Sequence, residues 1–277
     1  MKKIIAAFDG LKLSTGTMDY AIHIAKSYNA HLVGIFLDDY TYSGYGYGEL
    51  LARAEEKNIM QLLDEADRLK RKAAADRFTT QCREAAINFS VHHDRKIAMK
   101  ELLHESIYAD LLIIDRKESF GNGEELQPTG FIHDLLADVH CPVLLVPGKF
   151  IPPVKNIILY DGSPSSVYAI KAFDYVMQPF KHLETEVVSV KATASSLHVP
   201  DNMLMKEFMK RHFPKAVFTV LKGSAEETIV TFLLQQKEEV MVILGAYQRN
   251  RVSRWFKPSM ADMLVQQTKL PLFVAHN

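Results

Sequence analysis

The sequence predicts an α/β protein made of two tandem, doubly wound five-stranded parallel-sheet domains. Three observations carry this expectation. Short apolar runs of strand length alternate with amphipathic stretches of helical spacing, the pattern of parallel strands joined by right-handed crossovers. The pattern occurs twice, because Lys2-Lys3-Ile4-Ile5-Ala6-Ala7-Phe8-Asp9-Gly10 returns as Val154-Lys155-Asn156-Ile157-Ile158-Leu159-Tyr160-Asp161-Gly162. The endings repeat too: His140-Cys141-Pro142-Val143-Leu144-Leu145-Val146-Pro147 is matched by Lys269-Leu270-Pro271-Leu272-Phe273-Val274-Ala275-His276.

Taken in order, the first copy has strands near 3–8, 31–37, 88–93, 110–114 and 143–146. The second has them near 156–160, 186–190, 217–221, 240–244 and 272–275. The runs at 4–8 and 31–37 are nearly all apolar, as strands buried on both faces are. The proline-rich stretch 147–153 reads as a short, stiff linker between a domain at 1–148 and another at 154–277. The second copy is shorter by roughly twenty residues, nearly all lost between its second and third strands. There the first copy carries a tyrosine and glycine loop with Tyr42, Tyr45, Tyr47 and Gly48, then a charged helix near 49–86. The loop reads either as plain surface or as a lid and protein-partner surface, since rigid aromatics give contact area and glycines give hinges. The helix, with Glu55-Glu56-Lys57 and Arg68-Leu69-Lys70-Arg71-Lys72, reads as a solvated face.

Composition narrows the function classes. Lys plus Arg number 33 and Asp plus Glu number 33, so no global field favours nucleic acid or an anionic membrane. Met1-Lys2-Lys3 runs straight into a strand, and no apolar stretch is long enough to span a bilayer, so a soluble, cytoplasmic protein is expected. The 2 cysteines, Cys82 and Cys141, lie in unrelated contexts and are expected to be reduced thiols.

Chemistry is expected at the carboxyl ends of the strands, where doubly wound sheets hold ligands. Asp9 and Asp161 each end a first strand, and Gly10 and Gly162 free the turn that follows. Each aspartate reads either as a cap of its own loop or as a ligand contact. The fourth strand ends in Leu244-Gly245 in the second copy, where backbone can approach a phosphate, and in Ile114-Asp115 in the first, where a carboxylate repels one. Thr129 and Ser259 then hold matching places as hydroxyls opening a helix, either as ordinary N-caps or as anion donors. Adjacent strand residues His92 and His93 point to opposite faces and are not expected to share a metal. No spaced serine, histidine and carboxylate set suggests catalysis, so a non-enzyme is expected.

The Asp-Gly-Ser strand end at 161–163, Gly245, the hydroxyl-led helix and the Cys-Pro-Val-Leu-Leu-Val-Pro closing strand together resemble the tandem universal stress proteins, and the resemblance spans essentially the whole chain. It implies a Rossmann-like fold, akin to that of the adenine nucleotide alpha hydrolases. It further implies an internal pseudo-dimer in which the two closing strands meet along their edges, leaving open whether two chains associate further. The family often binds ATP through a glycine, two residues, a glycine, nine residues, then a glycine and a hydroxyl residue. Laid on the second copy, that pattern keeps Gly245 and Ser259 but has Gln248 and Pro258 at the other glycines; the first copy keeps only Thr129. The resemblance thus implies a stress-response protein that binds and signals. Any ATP or AMP would sit in the second copy, with Asp161, Gly162 and Val190 near adenine and ribose and Gly245, Ser259 and Met260 near the phosphates. The rival reading is a non-nucleotide module for a protein partner or a small molecule.

Overall fold

A computed structural model describes residues 1–37, 57–94, 97–120, 126–192, 198–246 and 260–276. The first half runs β1 (Lys3–Asp9), α1 (Thr15–Tyr28), β2 (His31–Leu37), α2 (Lys57–Glu84), β3 (Phe89–Asp94), α3 (Ala98–Ser106), β4 (Leu111–Asp115), α4 (Gly130–Asp138) and β5 (Val143–Val146). The second runs β6 (Lys155–Leu159), α5 (Pro164–Val176), a 3-10 turn (Gln178–Phe180), β7 (Glu184–Lys191), α6 (Asn202–His212), β8 (Val217–Lys222), α7 (Ala225–Leu234), β9 (Val240–Gly245), α8 (Met260–Gln267) and β10 (Leu272–Ala275).

The ten strands among the described residues form one sheet in the order β3-β2-β1-β4-β5-β10-β9-β6-β7-β8. Every neighbouring pair is parallel except β5 and β10, which are antiparallel and pair Leu145 with Leu272, Leu144 with Phe273 and Val143 with Val274. Each half thus has the strand order of a doubly wound sheet, and the closing strands join the halves into a pseudo-dimer. That join pairs two backbones that would otherwise be sheet edges.

Alternation of side chains divides each strand between two cores. Ile4, Ala6 and Phe8 face one layer with α1, α2, α5 and α6, and Ile5 and Ala7 face the other with α3, α4, α7 and α8. Both cores run through both halves. The linker adds a third contact: the Tyr20 hydroxyl of α1 donates to the Ile151 carbonyl at 3.1 Å, and its ring meets Phe150 edge-on at 4.6 Å. Gly16 allows this approach, since a Cβ there would lie 2.2 Å from the Pro147 oxygen.

The charged helix of the first half departs from expectation. Ala74, Ala75, Phe78 and Cys82 of α2 are buried, so one face is core and only the rest is solvated. Phe78 packs edge-on against Phe8 at 5.5 Å and Phe36 at 5.9 Å, in space left by the missing side chain of Gly34. Burial also pushes both free thiols, Cys82 and Cys141, up to about 12. The Tyr42 to Gly48 loop lies outside the described residues.

Candidate functional site

The first half fills its own strand-end crevice with carboxylates. Asp9 Oδ1 accepts from the Leu11 amide at 2.9 Å. Asp115 accepts from the Ser14 hydroxyl at 2.6 Å and from the Lys117 amide at 2.9 Å, which fixes the N-cap of α1 to the end of β4. Glu118 Oε1 accepts from the Ser119 and Phe120 amides at 3.1 and 3.0 Å. The amides that would face a phosphate after β4 are therefore satisfied from within the chain. Burial, then the neighbouring Asp9, pushes Glu118 up to about 7, with Asp115 adding to the effect and the two amides opposing it. Thr129 caps α4, accepting from the Ile132 amide at 3.2 Å and donating to the Glu118 carbonyl. Its hydroxyl is used by the fold, as an ordinary N-cap is.

The second half is built differently. Asp161 Oδ1 accepts from the Ser163 amide at 2.9 Å, the same loop closure that Asp9 makes, so this aspartate caps its own turn. Burial works to raise its pKa, but hydrogen bonds from the Ser163 hydroxyl and amide outweigh that and hold the carboxyl below the usual range. Gly162 has φ +86°, a left-handed conformation that favours glycine, and its open side faces Pro200.

Gly245 has a packing role that the sequence did not suggest. A Cβ there would lie 2.4 Å from the Ser165 carbonyl and 2.6 Å from the Ser166 nitrogen, so the first turn of α5 packs directly on the bare side of this glycine. Next to this contact the Ser165 hydroxyl is buried without a hydrogen-bond partner among the described residues. An orphaned hydroxyl at a helix N-terminus is unusual, because buried polar groups are nearly always paired.

The remaining sequence-predicted residues fall around this point. Strand register sets Asp161, Val190 and Gly245 near one level at the carboxyl edge, since Ile158 pairs with Ile243 and Leu159 with Val188. Val190 packs with the core under α7, across the sheet from Tyr160. Met260 opens α8, and Ser259, Gln248 and Pro258 lie outside the described residues. His92 and His93 separate to opposite faces: His92 Nδ1 is 2.8 Å from Glu105 of α3, and the His93 ring lies 5.7 Å from that of Phe36. Among the described residues no group of three or more metal-ligating side chains converges, and no helix is long and apolar enough to cross a membrane.

Two features escaped the sequence reading. Arg116, just past β4, is buried and reaches the other half, and α5 and α6 frame an open groove. The charged run Asp115-Arg116-Lys117-Glu118 at a strand end was the available signal for the first.

No protein-family profile matches the chain, and no curated protein does. Solved structures do. The chain is similar to a universal stress protein from Archaeoglobus fulgidus DSM 4304, with a TM-score of 0.72 and 12% identity over 99% of this chain and 98% of that one. A putative universal stress protein from Pseudomonas aeruginosa UCBPP-PA14 gives 0.63 and 13% over 99% and 92% of the two chains. A functionally unknown protein from Pseudomonas aeruginosa PAO1 gives 0.62 and 13% over the same shares, 99% and 92%. The fold is that of a tandem universal stress protein.

Proposed function

We propose that the chain is a cytoplasmic universal stress protein that works by ligand binding and signalling rather than by turnover. Its second half is the binding half, and the ligand is an adenine nucleotide, ATP or AMP. The observation that supports this most is the contrast at the two strand-end crevices. In the first half, Asp115 and Glu118 satisfy the amides that an anion would use. In the second, Gly245 stands where the first has Asp115, and the buried Ser165 hydroxyl is left without a described partner. A hydroxyl in the first turn of α5 can donate to a phosphate or ribose oxygen, where the helix dipole also favours negative charge.

Titration calorimetry with ATP and with AMP tests this on the intact chain. One saturable site per chain is expected, unchanged in Glu118→Gln and weakened several-fold in Ser165→Ala, as loss of a single hydrogen bond worth about 1 kcal/mol would do. Absence of heat at millimolar nucleotide overturns the nucleotide reading. Gly245→Glu is a poor probe here, because any side chain at that position meets the α5 backbone before it meets a ligand.

A further inference from the structure

Between α5 and α6 lies a groove of about 710 Å³ that begins at Tyr160 and Gly162 and runs down the helices. Ligand pockets typically span about 300–1,000 Å³. Its walls are two helical stripes. Val167, Tyr168 and Lys171 come from α5, and Leu204, Phe208 and Arg211 come from α6, with Met205 buried between them. Leu204 is 69% exposed and Tyr168 37%, large apolar side chains left facing solvent.

The matching place in the first half carries different side chains. Counting five residues from the N-cap, Tyr168 after Ser163 corresponds to Asp19 after Ser14. There Arg77 of α2 attracts Asp19, and Met18, beside it, is completely buried. α5 and α6 are joined beyond the groove, where His212 Nδ1 lies 2.6 Å from the Asp174 carboxylate, and at Tyr168 they stand apart around the groove.

Charged side chains of both signs line the groove. Asp201 stands at the strand-end mouth near the Tyr160 hydroxyl, and Lys171 and Arg211 stand towards the far end. Seven residues separate Leu204 from Arg211, about 10 Å of helix, room for an extended apolar body. Neither Lys171 nor Arg211 makes an ion pair among the described residues. Glu207 and Asp201 also line the groove, so a ligand with several negative charges would meet repulsion along its length.

We propose that the groove between α5 and α6 is a second ligand site, separate from the nucleotide crevice, for a small amphipathic monoanion. Its apolar body lies over Met205 and between Tyr168 and Phe208, and its acid group meets Lys171 and Arg211. Burial of the body supplies the affinity, and the two cations set its direction and reject an oppositely charged analogue.

Decanoate is a suitable probe, with decylamine as the same body bearing the opposite charge. Calorimetry on the intact chain is expected to show one saturable decanoate site, unaffected by saturating ATP, and far weaker binding of decylamine. Lys171→Glu combined with Arg211→Glu should weaken decanoate at least ten-fold, while Lys206→Glu, outside the groove on the same helix, leaves it unchanged. All three side chains are exposed, so the fold survives the exchanges. The proposal is overturned by no saturable decanoate binding, by a double variant within two-fold of the native chain, or by equal affinity for decylamine. Competition from ATP overturns it as well, since the groove would then belong to the nucleotide site. Failure to bind ATP at all leaves this proposal standing and removes only the nucleotide reading.

Discussion

Arg116, from the first half, donates through Nη2 to the main-chain oxygen of Leu264, in the last helix of the second half, at 3.3 Å. Leu264 lies among the last four residues of α8, whose carbonyls carry the negative end of the helix dipole, so a guanidinium is well matched to the place. Burial nonetheless dominates: it pushes Arg116 down to about 10, with Asp115 opposing the shift, and its Nη1 has no described partner.

Replacing this arginine should therefore stabilise the chain if shape is kept. Arg116→Met is expected to gain about 1–3 kcal/mol in chemical unfolding, because buried charges often give way favourably to apolar groups of similar volume. Arg116→Ala should lose stability by opening a cavity. A Met variant less stable than the native chain would show that the contact with Leu264 outweighs the cost of burying the charge.

Two glutamates should give the first half opposite responses to pH. Glu118 has a folded pKa of about 7, above its usual 4.5, so the folded state holds its proton over that window. Its contribution is favourable below about 4.5 and is lost as pH rises to 7. At about 1.4 kcal/mol per unit the loss is of order 3 kcal/mol, and Glu118→Gln should be the more stable protein at pH 8 and flatten the slope. Glu105 runs the other way. Burial raises it, but hydrogen bonds from Lys3 at 3.0 Å and His92 at 2.8 Å prevail and lower it, so its contribution is present above 4.5 and lost on acidification. Unfolding midpoints measured from about pH 2 to 8 for Glu118→Gln and Glu105→Gln should separate the two trends.

Gly245→Ala should destabilise the chain without any ligand present. A methyl group 2.4 Å from the Ser165 carbonyl forces α5 away, and overpacking of this kind costs about 1–3 kcal/mol. Thermal unfolding of the ligand-free variant measures it; an unchanged midpoint would mean that α5 moves freely.

Phe78→Ala should cost about 3–5 kcal/mol, because the ring fills the space above Gly34 between Phe8 and Phe36. Denaturant unfolding is the measurement, and a loss under 1 kcal/mol would return α2 to the status of a solvated appendage.

These residues also show what the sequence made legible. β2, β5 and β10 fall at the expected residues, because strands buried on both faces are written as uninterrupted apolar runs. That β5 and β10 meet along their edges followed from the family resemblance, whereas their antiparallel direction is seen only in the structure. The buried face of α2 was harder to see, since Ala74, Ala75, Phe78 and Cys82 are spread through a strongly charged stretch. Gly245 shows the limit for the site. A glycine at a strand end signals a close approach, and the sequence does not say whether the approaching backbone belongs to a ligand's neighbour or to the chain's own helix. Arg116 lay further out of reach, because its contact joins residues 148 positions apart.

The reversal of direction between β5 and β10 has a geometric consequence for anything the protein carries. The carboxyl edges of the two half-sheets open at opposite poles of the particle, so the crevice plugged by Asp115 and Glu118 looks away from the one beside Ser165. A guest seated at one pole leaves the other face unobstructed. A ligand bound as proposed beside Ser165 would therefore lie at the far end of the sheet from Asp115 and Glu118.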